Sequence, residues 1–223
     1  MIGSAFPNSA SGSSNSLPEE LFTKAKLTKG FMPDDEGMAL FEVALEAAGE
    51  TGGPLVEIGA WCGKSTIYIG AAAQRLNTVL FSIDHHHGSE ENQKGWEYYD
   101  KTLVDPHTNR IDTLLHWRHN IEDAGLENHV IAVVGESSTV SRWWNTLISF
   151  LFIDGGHGKI PALADYNNWT PMIKSGGLLA IHDVFTDPLE GGRPPFEIWQ
   201  AGLKSGNFIQ HSSQGSLQIL KKL

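Results

Sequence analysis

Two glycines and a preceding glutamate stand at a spacing that suits the binding of a small molecule. Residues 56–66 read Val-Glu-Ile-Gly-Ala-Trp-Cys-Gly-Lys-Ser-Thr, so Glu57 precedes Gly59 by two positions and Gly63 opens a hydroxyl-rich segment. An apolar run before and an alanine-rich stretch after predict a strand, a tight turn and a helix. Glycine lets a backbone approach a ligand closely, and a helix N-terminus offers unpaired N–H groups. The pattern predicts a nucleotide-like ligand site, with an ordinary tight strand-to-helix turn as the alternative.

The spacing of the two glycines separates this turn from two common nucleotide-binding loops. A phosphate-binding P-loop needs four residues between its first glycine and Gly-Lys-Ser, whereas Gly59 and Gly63 enclose three. The dinucleotide fingerprint needs a glycine where this chain has Trp61. The pattern that fits is Glu-x-Gly-x-x-x-Gly.

A second acid, Asp84, directly follows a strand predicted at 78–83. It stands about twenty residues beyond the glycine turn, where a carboxylate at a strand end can accept both hydroxyls of a ribose. The alternative is that Asp84 caps the segment that follows it.

Two later strands also end in polar residues. Asp154 follows a strand predicted at 147–153, and His182 and Asp183 end a strand predicted at 177–182. If the strands are neighbours, their ends lie about 4.8 Å apart. Two carboxylates at that separation repel each other unless a cation lies between them. The sequence therefore predicts a divalent cation at Asp154 and Asp183, against the alternative that Asp154 only helps to hold a cofactor or a helix end.

The elements that must position these residues alternate along the chain, which predicts a parallel sheet with helices on both faces. Helices are expected at 19–29 and from Pro33 onward, and a last helix at 194–204 precedes a closing hairpin of 208–211 and 216–220. The alternating part consists of strands at 55–59, 78–83, 129–134, 147–153 and 177–182 and helices at 64–75, 138–146 and 158–172.

The connection at 85–128 is longer than a strand-to-helix connection with its helix normally is. It holds six of the ten histidines, including His85, His86 and His87, and it holds Trp96, Tyr98, Tyr99 and Trp117. Aromatic rings beside polar groups suit a sugar face or an aromatic ring, so we expect an acceptor-side insert. The alternative is that Trp96 and Tyr99 only anchor the insert.

Composition limits the classes of partner. The formal charge is −10, and the chain has no Lys/Arg cluster, which argues against nucleic acid and anionic membranes as partners. The single cysteine, Cys62, excludes an internal disulfide and favours a reducing compartment. There is no apolar stretch of about 18 residues and no signal peptide pattern, so we expect a cytoplasmic protein.

Residues 1–18 are Ser, Asn, Gly or Pro in twelve places and carry no charged side chain, which predicts a flexible leader. Residues 19–223 are then expected to form one domain.

These motifs together carry a family resemblance. Glu-x-Gly-x-x-x-Gly resembles motif I of class I S-adenosylmethionine-dependent methyltransferases, and Gly-Ala-Trp-Cys-Gly-Lys-Ser is similar to the loop of metal-dependent catechol-type O-methyltransferases. Phe-Ile-Asp-Gly-Gly-His, Ala-Asp-Tyr-x-x-Trp and Gly-Gly-Leu-Leu-Ala-Ile-His-Asp-Val resemble sugar and antibiotic O-methyltransferases and cephalosporin-hydroxylase-like proteins. The resemblance covers residues 34–220, apart from the insert, and the mycobacterial methylmannose-polysaccharide O-methyltransferases are a candidate match.

The resemblance implies a Rossmann-like, doubly wound α/β fold with a mostly parallel seven-stranded sheet, helices on both faces and an antiparallel C-terminal strand. It implies S-adenosylmethionine as methyl donor and a divalent cation, with Mg²⁺ favoured over Mn²⁺. The residues implied to hold the donor are Glu57, Gly59, Ala60, Gly63, Ser65 and Asp84, with Glu136 and Ser137 beside the adenine. A helix N-cap would explain Ser137 equally well.

The same resemblance suggests roles for three residues of the second half. Catechol-type relatives carry a catalytic lysine three residues after the first metal-binding Asp, where this chain has His157; a histidine can take a hydroxyl proton near neutral pH. Related metal sites use acids or an amide where this chain has His182 before Asp183. Mg²⁺ prefers oxygen ligands, so either His182 lies outside the coordination sphere, which we favour, or the metal is softer, such as Mn²⁺.

The expected function is O-methylation of a polyhydroxylated small molecule, with a sugar favoured and a homo-oligomer as an open option. Two alternatives remain. A metal-dependent hydrolase or hydroxylase could use the His-x-His pair of the insert, and a non-catalytic module could bind the cofactor alone.

Overall fold

The computed structural model describes residues 16–156 and 158–223. Within these residues a central sheet of seven strands has the order β5-β2-β1-β6-β7-β9-β8. Its first five strands run parallel, and β9 and β8 follow antiparallel. The strands are β1 (Leu55–Ile58), β2 (Leu80–Asp84), β5 (Val130–Val134), β6 (Ile148–Ile153), β7 (Ile173–Ile181), β8 (Phe208–Gln214) and β9 (Leu217–Lys222), and β3 (Val104–Asp105) and β4 (Arg110–Ile111) form a separate hairpin. The predicted fold class is confirmed.

Helices cover both faces of the sheet, because alternate strand residues point to opposite sides. Leu55, Phe150 and Leu178 face one apolar layer, whereas Val56, Leu151 and Leu179 face the other. The first layer is covered by α1 (Glu19–Leu27), α2 (Asp34–Thr51), α3 (Lys64–Arg75) and α4 (Leu114–Asp123), and the second by α5 (Ser137–Ser141), α6 (Lys159–Trp169) and α7 (Arg193–Lys204).

Two elements illustrate where the structure differs from the sequence prediction. The helix predicted at 138–146 ends at Ser141, and Trp144 then packs against Phe81 and Trp169, so the chain leaves the helix axis to fill the core. Strand β7 begins four residues earlier than predicted, since Ile173 pairs with Ile148 across an irregular register. Tertiary contacts override local propensity at both places.

The long connection contains a helix that the sequence analysis did not identify. Trp117 and Ile121 of α4 are buried in the first apolar layer, so α4 is the crossover helix between β2 and β5. The irregular part of the insert is therefore confined to about residues 85–113.

The predicted leader falls on residues 1–18, of which 1–15 lie outside the described residues. Leu17 is buried against the first apolar layer, so the packed chain begins before Glu19. Across the described ranges, no helix combines the length and the apolar character that a bilayer span requires.

Candidate active site

The predicted site residues converge because four neighbouring strands end in register. Ile58 of β1 lies beside Ile83 of β2 and Ile153 of β6, and Ile153 lies beside Ile181 of β7. The residues that follow are Asp84, Gly59, Asp154 and His182, which therefore form one row at the carboxyl edge of the sheet. The chain reverses its winding direction between β1 and β6, which is where open α/β sheets bind ligands.

Gly59 allows the turns after β1 and β6 to touch. Its φ of 88° lies in the left-handed region, and a Cβ there would stand 2.1 Å from the carbonyl oxygen of Asp154. Gly63, with φ 95°, begins α3 and has Trp117 beside it. Both glycines are thus required by the backbone path of the turn.

Glu57 organises the glycine turn from inside. Its side chain is fully buried and accepts hydrogen bonds from the hydroxyls of Ser65 (2.6 Å), Thr66 (2.6 Å) and Ser82 (2.7 Å). Burial raises the pKa of Glu57 to about 7, against the lowering effect of these three bonds. The side chains of Glu57 and Ser65 thus bind each other and shape the turn, and the prediction that they help to hold the donor stays a prediction.

Asp84 also binds the backbone of this turn. Its Oδ2 accepts from the N–H groups of Ala60 (2.8 Å) and Trp61 (2.9 Å), and its Oδ1 accepts from that of His86 (2.7 Å). The hydrogen bond from His86 shows Asp84 capping the segment that follows it, which is the alternative to ribose binding given by the sequence. A carboxylate has about four acceptor positions, so Asp84 retains acceptor capacity toward the crevice.

Asp154, His182 and Asp183 form a three-residue cluster with one ligand atom each within 4.8 Å of the others. Nδ1 of His182 lies 3.1 Å from Oδ1 of Asp154 and 3.6 Å from Oδ2 of Asp183. Ligand atoms about 2.1–2.3 Å from a shared ion are separated by such distances, so the cluster fits a divalent cation. Asp183 has a φ of 56°, an uncommon conformation that occurs more often at functional sites.

Glu36 belongs to this site, and the sequence analysis missed it. Its Oε2 lies 2.6 Å from Nε2 of His182, and its Oε1 accepts from the N–H of Ser216 at 2.6 Å. From the sequence alone, Glu36 is simply one of three acids in the first turn of α2, where acids are common. The helical spacing of Glu36 with Leu40 and Val43 indicates that Glu36 lies on the buried face of α2, and a buried acid needs a partner.

His182 lies between acidic groups on both sides of its ring. Burial alone would lower its pKa, but Asp154, Asp183 and Glu36 outweigh burial and raise the pKa well above its ordinary value.

The side chains of Glu136 and Ser137, predicted to lie beside the adenine, have different surroundings in the structure. Glu136 is exposed, and Nε2 of His85 lies 3.9 Å from it. Ser137 donates its hydroxyl to the carboxylate of Asp165 on α6, and the N-cap position of α5 is occupied by Glu136. Burial and the charge of Glu136 raise the pKa of Asp165 to about 6, against the lowering effect of the hydrogen bond from Ser137.

His157, the predicted general base, lies outside the described residues. Its role stays a prediction. The chain on either side of it connects Asp154 to the start of α6 at Lys159.

The insert packs onto the glycine turn through a small apolar cluster. Cys62, Leu103 and Ile111 form this cluster, with Tyr99 packed against it. Burial raises the pKa of the Cys62 thiol to about 12, which agrees with a packing role and opposes a nucleophilic one. Tyr99 is thus an anchor, as the alternative interpretation expected.

The insert histidines are engaged by nearby polar groups. Nδ1 of His86 lies 2.8 Å from the Thr113 hydroxyl, and Nδ1 of His87 lies 3.0 Å from the carbonyl of Ile111. Within residues 16–156 and 158–223, the insert contributes no residue to a three-ligand group. The hydrolase or hydroxylase alternative therefore gains no support from the described part of the chain.

Three aromatic rings lie together at the glycine turn, those of Phe31 and Tyr98 exposed and that of Trp61 partly buried. The Phe31 ring lies 5.2 Å from that of Tyr98 and 6.1 Å from that of Trp61, measured between centroids. Lys29, near Phe31, binds Asp100 and Thr102 of the insert. We call Phe31, Trp61 and Tyr98 the aromatic rim.

Comparison with known proteins identifies the family. A family model described as a methyltransferase domain matches residues 56–184, which is more than half of the chain and spans the glycine turn and the three-residue cluster. The chain belongs to this methyltransferase family. The prediction that it is a methyltransferase is confirmed, and the matched segment contains the strand ends that carry the site.

Solved O-methyltransferase structures share the fold of this methyltransferase. The O-methyltransferase NovP aligns with a TM-score of 0.65 at 14% identity, over 85% of this chain and 80% of that one. TomG from Streptomyces achromogenes, solved with S-adenosylmethionine, aligns with a TM-score of 0.61 at 14% identity, over 93% of this chain and 91% of TomG. CalS11, a TDP-rhamnose 3'-O-methyltransferase of calicheamicin biosynthesis, aligns with a TM-score of 0.61 at 14% identity, over 91% of this chain and 86% of CalS11.

Proposed function

We propose that this protein transfers a methyl group from S-adenosylmethionine to a hydroxyl of a polyhydroxylated small molecule, with a sugar or saccharide as the favoured acceptor. The observation that carries the proposal is the row of strand ends, where the Gly59 turn and Asp84 lie directly beside the Asp154–His182–Asp183 cluster. A donor site and an acceptor-activating site thus share one edge of the sheet.

The methyl donor would lie across the turn after β1. Gly59, Ala60 and Gly63 present backbone at the start of α3, and Asp84 has acceptor capacity for the ribose hydroxyls. Glu136 and Ser137, at the end of β5, would border the adenine. The TomG complex supports this assignment, since a protein of the same fold holds S-adenosylmethionine.

Asp154, His182 and Asp183 would hold a divalent cation. When bound, such an ion supplies Lewis acidity that lowers the pKa of an acceptor hydroxyl and fixes its position. The two aspartates supply the oxygen ligands that Mg²⁺ and Mn²⁺ share.

His157 would take the proton from the acceptor hydroxyl. It stands three residues after Asp154, and a histidine has the pKa range of a general base near neutral pH. In-line displacement at the sulfonium methyl then requires that the residues of the crevice orient the acceptor and exclude water.

The aromatic rim would bind the acceptor. Ring faces beside polar groups suit a sugar, and CalS11, which shares the fold, acts on a TDP-linked sugar. The net charge of −10 argues against nucleic acid as acceptor, and the single buried cysteine agrees with a reducing, cytoplasmic location.

A screen of acceptors with labelled S-adenosylmethionine tests the proposal. Nucleotide sugars, free saccharides, catechols and amines should be incubated in parallel with Mg²⁺ or Mn²⁺, with and without excess chelator. We expect label in a hydroxylated acceptor, loss of transfer with chelator, and loss in Asp154→Ala. Full transfer in excess chelator would remove the cation from the proposal, and label in amines alone would overturn O-methylation.

A further inference from the structure

We propose that Glu36 is a positioning residue that holds the His182 ring so that Nδ1 becomes the third ligand of the divalent cation at Asp154 and Asp183. The inference rests on the cation site of the proposed function and adds a residue from α2, far from the motifs in sequence. It assigns His182 to the coordination sphere, contrary to the interpretation that the sequence analysis favoured.

Glu36 is held in a single orientation by the β8–β9 turn. Its Oε1 accepts from the N–H of Ser216, and its Oε2 also lies 3.3 Å from the Ser216 hydroxyl. Gly215 makes room for it, because a Cβ at that position would stand 2.1 Å from Oε1. Side-chain exposure is 5% for Glu36 and 3% for His182, so water does not compete for their contact.

This contact decides which ring nitrogen is available. A carboxylate without a proton only accepts hydrogen bonds, so the 2.6 Å contact requires that Nε2 of His182 carry the hydrogen. Nδ1 is the nitrogen that faces Asp154 and Asp183, and a hydrogen there, in the 3.1 Å contact with Asp154, is the one that a bound cation would displace. Histidine ligands of metals commonly donate their other N–H to a carboxylate, which fixes tautomer and ring orientation.

The chemical consequence concerns the choice of metal. One imidazole nitrogen with two carboxylates suits Mn²⁺, Fe²⁺, Co²⁺ or Zn²⁺ better than Mg²⁺, which prefers oxygen ligands. We therefore expect the protein without donor or acceptor to bind Mn²⁺ more tightly than Mg²⁺.

The substitution Glu36→Gln tests the contact with little change in volume. The Gln carbonyl oxygen can still accept from the Ser216 N–H, which directs the amide NH₂ toward Nε2 of His182. A donor at that place converts Nε2 into an acceptor and moves the hydrogen to Nδ1. We expect the affinity for Mn²⁺ alone, measured by electron paramagnetic resonance of the free ion, to fall about 10- to 100-fold.

Ser216→Ala is the matched control. It removes the 3.3 Å hydroxyl contact to Glu36 and keeps the backbone N–H bond, so Mn²⁺ affinity should stay within about twofold of wild type. Binding of S-adenosylhomocysteine should be unchanged in both variants.

A second measurement on the wild-type protein does not depend on the folding of any variant. Imidazole ¹⁵N spectra are recorded with and without Zn²⁺, and His182→Gln identifies the His182 signals. We expect Nδ1 to shift to the position of a metal-bound nitrogen while Nε2 stays protonated.

Two results would overturn the inference. One is Glu36→Gln binding Mn²⁺ as tightly as wild type while Asp154→Ala loses binding, in which case the proposed cation site survives. The other is metal coordination through Nε2, or an unshifted His182, under Zn²⁺ saturation. If Asp154→Ala also leaves Mn²⁺ binding unchanged, the cation site of the proposed function fails together with this inference.

Discussion

Buried carboxylates set the geometry of both halves of the candidate site. Glu57 accepts hydrogen bonds from three hydroxyl groups. Glu36 is hydrogen-bonded to His182 and Ser216, and Asp165 accepts a hydrogen bond from Ser137. All three acids are at most 4% exposed, and each has the partners that a buried carboxylate requires. The acids that we propose to contact a ligand are instead partly exposed: Asp84, Asp154 and Asp183.

Asp165 should make stability depend on pH. Its folded pKa of about 6 lies above the ordinary value of 3.8, so the folded protein favours the protonated form. The resulting stability is fully present below the unfolded pKa and is lost as pH rises through about 6. Asp165→Asn should therefore gain stability relative to wild type between pH 4 and pH 8, by roughly 3 kcal/mol at most.

Urea unfolding of both proteins at several pH values measures this gain. Asp123→Asn, at an exposed position at the end of α4, is the control and should change little. A constant difference between Asp165→Asn and wild type at all pH values would contradict the assignment.

Residue positions at strand ends could be predicted, whereas partners from distant elements could not. Asp84, Asp154 and Asp183 follow or end apolar strands, so the sequence predicts that they share the carboxyl edge of the sheet. Glu36 meets His182 across 146 positions, and no local pattern records that contact. The bond between Ser137 and Asp165 is hidden for the same reason.

At the scale of elements, the turns after β1 and β6 approach each other closely at Gly59. Gly59→Ala would add both a strained φ and a collision of Cβ with the Asp154 carbonyl. The variant can relieve the collision only by separating the two strand ends. We expect a loss of about 2–4 kcal/mol in the free energy of unfolding and a large fall in affinity for S-adenosylhomocysteine.

Gly52→Ala separates the effect of the strained φ from that of the collision with Asp154. Gly52 also has a positive φ, of 59°, but a Cβ there meets nothing within 4 Å. This control should lose about 1 kcal/mol and keep its affinity. Equal loss of affinity in both variants, by calorimetry, would show that the approach of the two turns is not what matters.

Element types were predictable where periodicity is strong. The strands β1, β2, β5 and β6 are apolar runs of four to six residues and were placed within two residues of their ends. Helix α4 was missed because its buried residues, Trp117 and Ile121, are flanked by polar and charged side chains that obscure the apolar face.

At the scale of the whole molecule, the acceptor side is assembled from three segments distant in sequence. Phe31 comes from the connection between α1 and α2, Trp61 from the glycine turn and Tyr98 from the insert. Lys29 joins the first of these to the third through Asp100 and Thr102. Tyr98 is a candidate from the sequence alone, whereas Phe31 joins it only in the folded arrangement.

Loss of the aromatic rim should weaken acceptor binding alone. We expect Phe31→Ala and Tyr98→Ala to raise KM for the acceptor found by the screen about 5- to 30-fold, because each removes a ring face worth about 1–2 kcal/mol. Affinity for the donor should not change. Trp143→Ala, a strongly exposed ring after α5, is the control. A fall in kcat at unchanged KM would contradict a binding role.

Calorimetric titration with S-adenosylhomocysteine tests the central claim most directly, because it needs no knowledge of the acceptor. We expect one site per chain, no heat with NAD or ATP, and affinity at least tenfold weaker in Asp84→Asn with the fold intact by circular dichroism. Tight binding of ATP or NAD with no response to S-adenosylhomocysteine would contradict the account.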